Sequence, residues 1–125
     1  MNFIHRSSTS ELADLAKKIG LTDLVIIKKS DFNKFKKHEN IILNLDDNGA
    51  GSHWIGCNTK KKIYFDSYNQ LPPKIIPKNY KSIEHNFELQ TIDAEDCGQL
   101  TVLALYYIKN GKGEDFYKLF KDVYT

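Results

Sequence analysis

Apolar residues recur along this chain at two spacings, and the change from one to the other separates helices from strands. Leu12, Leu15, Ala16 and Ile19 fall at i, i+3, i+4 and i+7, the stripe of an amphipathic helix. Ser10 is placed to cap that helix ahead of Glu11-Leu12, and Gly20 to end it. Leu24 to Ile27 is a short β-branched run, and Asp31 opens a brief helical turn carrying Phe32 and Phe35. Ile41 to Leu45 has strand character, followed by the dense turn signal Asp46-Asp47-Asn48-Gly49. Two more strand-like runs, Ser52 to Cys57 and Lys61 to Asp66, flank Asn58-Thr59-Lys60 and predict a hairpin.

Ser67 to Tyr80 carries Pro72, Pro73 and Pro77 and reads as an irregular crossover, with a weaker strand over Ile83 to Leu89. A helix is predicted from Cys97 to about Asn110, ended by Gly111. It is apolar nearly all round, which predicts a central buried helix, and a shorter amphipathic helix follows over Asp115 to Val123. The pattern shows no repeat and no second domain. The class it predicts is α+β: one domain over 1–125, with a small, mostly antiparallel or mixed sheet packed against a central buried helix and flanking helices.

Composition narrows the function only a little. The 125 residues are 41% hydrophobic and 27% charged, ordinary for a globular protein. A net charge of +2 is too mild to argue nucleic-acid binding. Lysines cluster at Lys17-Lys18, Lys28-Lys29, Lys34 to Lys37 and Lys60 to Lys62, and these read as a solvated face. A weak polyanion or DNA contact is the alternative. Met1 to Ser10 lacks the apolar core of a signal peptide, and Leu100 to Ile108, the longest apolar stretch, is too short to span a bilayer. Cys57 and Cys97 form neither a metal spacing nor a disulfide framework, so both are expected as free thiols in a reducing, intracellular compartment or inside a particle. No cofactor or metal is expected, and His5, His38 and His85 show no ligand spacing.

The chemistry lies in four positions that follow one another as base, acid, amide and nucleophile. Asp96 followed by Gln99 is a capping-box pattern that puts Cys97 in the first turn of the buried helix. Free N–H groups and the helix dipole favour a thiolate there; the plain alternative is a small residue packed at a helix start. A hairpin symmetric about Thr59-Lys60 places Cys57 opposite Lys62, Ile55 opposite Tyr64 and His53 opposite Asp66. Imidazole and carboxylate then share a face and can hydrogen-bond; the alternative is an inconsequential ion pair. Gln90, seven residues before Cys97, is a candidate oxyanion donor or else a surface amide at a strand end. Trp54 is expected in the core or as a wall of the cleft, with Gly51 and Gly98 beside the substrate, and Cys57 is read as structural.

Gly51-Ser52-His53-Trp54, Tyr64-Phe65-Asp66-Ser67, and Gln90 ahead of Asp96-Cys97-Gly98 together resemble the adenovirus-type endopeptidases (adenains) and the SUMO- and ubiquitin-like-protein proteases that share their fold. Glu11 to Gly20 and Asp31 to Phe35 are similar to the helical opening of the adenovirus enzymes. The resemblance implies a papain-like site of permuted chain order: Cys97 as nucleophile, His53 as base, Asp66 as its orienting acid, Gln90 as oxyanion donor. It implies cleavage of viral capsid or core precursors at small, glycine-containing sites, in the virion or the infected cell. The chain departs from those enzymes in being much shorter and in carrying Asn69 where a glycine often follows the acid, so activation by DNA or a peptide does not carry over. Its wealth of Asn, Lys and Ile suits a virus or virophage. A protease for host ubiquitin-like proteins and a non-catalytic binding module on the same fold are the alternatives. An acetyltransferase is disfavoured for want of a basic lobe.

Overall fold

Five strands lie side by side in chain order in one mixed sheet. The computed structural model describes residues 9–45, 53–66, 71–82, 97–112 and 115, with Cys97 described by its backbone. The strands are β1 (Leu24–Lys28), β2 (Asn40–Asn44), β3 (Trp54–Asn58), β4 (Ile63–Phe65) and β5 (Lys81–Ser82). The helices are α1 (Thr9–Lys18), the single turn α2 (Phe32–Phe35) and α3 (Cys97–Lys109). The two central pairings, β2 with β3 and β3 with β4, are antiparallel. The outer ones, β1 with β2 and β4 with β5, are parallel. The sheet is therefore mixed, not mostly antiparallel, because both outer strands return through crossovers rather than hairpins.

Both faces of the sheet are covered, which is why β2 and β3 are buried at every position. Leu12, Ala16, Ile42, Trp54, Phe65, Val102 and Leu105 form the core between the sheet and the helices α1 and α3. On the other face Phe32, Ile41, Leu43, Ile55, Cys57, Tyr64 and Ile76 pack beneath α2 and the proline-rich segment. That segment turns at Ile76 N to Pro73 O (3.0 Å) and at Tyr80 N to Pro77 O (3.1 Å), as an irregular crossover should.

The glycine signals read correctly. Gly20 (φ +79°) and Gly111 (φ +73°) sit just past α1 and α3 in the left-handed region. The bonds Leu21 N to Ala16 O and Lys112 N to Tyr107 O, 2.9 and 2.8 Å, complete a Schellman closure in each case. Ser10 is not the cap: α1 begins at Thr9, so Ser10 lies in its first turn. α3 buries one face, at Gly98, Thr101, Val102, Leu105 and Ile108, while Gln99 and Tyr106 are exposed. Among its described residues it is less enclosed than its composition predicted. The strand expected over 83–89, the turn over 46–49 and the capping residue Asp96 lie outside the described residues. So does the helix expected over 115–123, apart from Asp115.

A polar lattice fixes the end of the sheet where β3 turns into β4. The Asp23 carboxylate accepts from the Glu39 amide and meets His38 Nδ1, each at 2.7 Å. These two hydrogen bonds, His38 first, hold its pKa below the ordinary value. Asn40 and Asn58, both fully buried, join across β2 and β3 through Asn58 Nδ2 to Asn40 Oδ1 at 3.1 Å. Buried amides that find each other in this way cost little, and they admit one strand register.

Candidate active site

The far ends of β3 and β4, and the first turn of α3, converge at the opposite end of the sheet. His53 immediately precedes β3, where its carbonyl accepts from the Leu45 amide at 3.0 Å, and Asp66 immediately follows β4. Their side chains meet at 2.7 Å, His53 Nε2 to Asp66 Oδ1, with 12% and 2% of the side-chain surface exposed. An ionised carboxylate only accepts, so Nε2 carries the proton and the lone pair of the neutral ring is on Nδ1. The other Asp66 oxygen, Oδ2, accepts from the Tyr64 hydroxyl at 3.3 Å.

The His53–Asp66 contact was expected, but through a different register. Cys57 pairs with Tyr64 and Gly56 with Phe65, so Cys57 does not face Lys62 and Asp66 does not stand directly opposite His53. The two are diagonal neighbours on one face. The cause is a longer turn: the Thr59 amide still bonds Glu39 O (2.8 Å) beside β2, Lys61 N bonds Asn58 Oδ1 (2.8 Å), and Lys62 turns back with φ +56°. Four residues, Thr59 to Lys62, thus join the strands. A two-residue shift preserves which face each side chain occupies, and a diagonal separation of about 7–8 Å is within reach of an imidazole.

Cys97 is the first residue of α3, and packing fixes where that helix starts. A Cβ on Gly98 would lie 2.9 Å from both Leu12 methyls and 3.1 Å from Trp54 Cδ1. A Cβ on Gly56 would lie 2.7 Å from Thr101 Cγ2, and Thr101 Oγ1 donates to Trp54 O at 3.4 Å. The helix therefore lies directly on β3, with the residue after Cys97 against the residue after His53. The space beside Gly98, expected for a substrate backbone, is filled by Leu12 and Trp54. Trp54 is 5% exposed and belongs to the core. Gly98→Ala is expected to cost about 1–3 kcal/mol by overpacking, seen as a lower urea midpoint. With Leu12→Ala added, the two losses should be less than additive.

Cys57 is buried, and desolvation pushes its thiol up to about 12. Gln90 and Gly51 lie outside the described residues. Among the described residues no group of three or more His, Cys, Asp or Glu could hold a metal ion, and no helix is long and apolar enough to cross a membrane. Lys60 to Lys62 occupy the β3–β4 turn, at the opposite end of the sheet from His53. Tyr64 was missed in the sequence as a member of this site. Its signal was present: it lies two residues before Asp66 on a strand, hence on the same face.

The chain matches no protein-family model, no curated protein and no solved structure. The chemistry of the site is therefore argued from its own residues.

Proposed function

We propose that the protein is a cysteine endopeptidase of papain-like, permuted order that cuts viral capsid or core precursors. The observation that most supports this reading is the buried 2.7 Å bond between His53 and Asp66, at the end of the sheet where α3 begins with Cys97. Because Nε2 is held by Asp66, the ring exchanges protons with the nucleophile through Nδ1. The Cys97 thiol passes its proton there, and the thiolate attacks the scissile carbonyl carbon. The carbonyl oxygen becomes an oxyanion, met by backbone N–H groups at the start of α3 and by the Gln90 amide. As the C–N bond breaks, the imidazolium protonates the leaving amine. Water, deprotonated by the same ring, then releases the acyl group from sulfur and restores the thiol. Asp66 stays ionised throughout, orienting the ring and stabilising its cationic form.

The test is a map of new amino termini after incubating the protein with the structural proteins encoded beside it. Cuts following small, glycine-containing sequences are expected. Cleavage confined to ubiquitin-like fusions would move the reading to a host-directed protease. No new termini on either substrate would leave a binding module and overturn the proposal.

A further inference from the structure

We infer that Tyr64 is a positioning residue for the base: its hydroxyl holds the outer oxygen of Asp66 so that the inner one stays aimed at His53. The inference rests on His53 and Asp66 being base and orienting acid. Asp66 divides its two oxygens, Oδ1 to His53 Nε2 at 2.7 Å and Oδ2 to the Tyr64 hydroxyl at 3.3 Å. A carboxylate anchored at both oxygens resists rotation about its own bond to Cβ, the motion that would swing Oδ1 off the ring. The anchor is itself fixed. Tyr64 is 1% exposed and packs with Ile55, Cys57 and Ile76, so the ring cannot follow a drifting carboxylate.

The phenol also keeps its donor role at every working pH. Burial first, and then the charge of Asp66, raise its pKa well above that of a free tyrosine, so it donates and does not ionise. Hydroxyl–carboxylate bonds are usually 2.5–2.7 Å, so at 3.3 Å this contact is a modest one. Its effect is set accordingly at about three- to tenfold, the range of an ordinary net hydrogen bond.

The experiment is water exchange of the His53 Nε2–H, followed by NMR in the native protein and in Tyr64→Phe, with Cys97 alkylation measured in parallel. Tyr64→Phe keeps the ring and its packing. Nε2–H exchange should quicken about three- to tenfold and Cys97 alkylation slow by a similar factor, while the amides of β3 and β4 exchange as before. Native-like Nε2–H exchange overturns the inference. Equal acceleration of the strand amides overturns it too, since that marks a purely structural role. Should Tyr64→Phe not fold, 3,5-difluorotyrosine at position 64 supplies a stronger donor in the same shape. Slower Nε2–H exchange supports the inference there, and unchanged or faster exchange refutes it. Exchange reads the role of Tyr64 and the reactivity of native Cys97 reads the peptidase proposal, so one can fail without the other.

Discussion

Iodoacetamide at pH 7 is expected to alkylate Cys97 at least about a hundredfold faster than Cys57. With its thiol pushed up to about 12, Cys57 holds only about one thiolate in 10⁵ at that pH. Cysteines at helix starts or beside an imidazolium ionise roughly between 3.5 and 7.5, so from about a quarter to nearly all of such a thiol is thiolate at pH 7. The more basic sulfur is the better nucleophile, which returns a little under half of the difference on a logarithmic scale. About two to three decades remain for a thiol that ionises near 7 and about one for a thiol near 3.5, and the burial of Cys57 adds to them. The ratio should fall about tenfold per pH unit above neutrality, because the Cys57 thiolate fraction keeps rising while that of Cys97 has saturated. Mass spectrometry of the two cysteine peptides reads both quantities. Equal labelling at pH 7 would sink the proposal, as would undiminished cleavage by Cys97→Ala.

The sequence carried the His53–Asp66 contact better than it carried the strand pairing. Glycines at 20 and 111 ended their helices because the closing turn requires a positive φ, which glycine adopts without a Cβ penalty, a property of the residue itself. The hairpin register was harder. It depended on Thr59 reaching back to β2 and on Asn58 bonding the Lys61 amide, contacts to a strand about twenty residues away and to a side chain whose role in the turn has no local signature. The His53–Asp66 pair survived because alternation has period two and the pairing moved by two residues. A shift of one would have put the two groups on opposite faces. Which strands of the mixed sheet run parallel was not legible for a related reason: the direction of an outer strand depends on where its crossover lands. Gly98 carried a subtler ambiguity. A glycine beside a nucleophile leaves room either for substrate or for the fold, and here Leu12 and Trp54 occupy the room.

Asp66→Asn should lower kcat by about a thousandfold with KM little changed, the range in which a base loses both its tautomer and the stabilisation of its cation. The replacement keeps the shape, and an amide can still bond both His53 and Tyr64, so the fold should survive. What it cannot do is accept from both. Asp66 now receives the Nε2–H at one oxygen and the Tyr64 hydroxyl at the other. Asparagine offers one oxygen and one NH₂, so either the phenol reverses or the imidazole does. If the ring reverses, Nε2 becomes the acceptor and the proton moves to Nδ1, the nitrogen that should take it from Cys97. If the phenol reverses, the tautomer survives, but no charge remains to stabilise the imidazolium. Either way the thiolate is lost at neutral pH, and Cys97 alkylation should shift to the alkaline range of an ordinary thiol, near about 8.5. Asp66→Ala is the contrasting case. It removes the acceptor of the buried His53 Nε2–H and should cost about 1–3 kcal/mol of stability besides the activity, as leaving a buried donor unsatisfied does. Denaturant midpoints separate the two variants. An Asp66→Asn protein that folds like the native one and cleaves within threefold of its rate would show that the carboxylate does not orient the base.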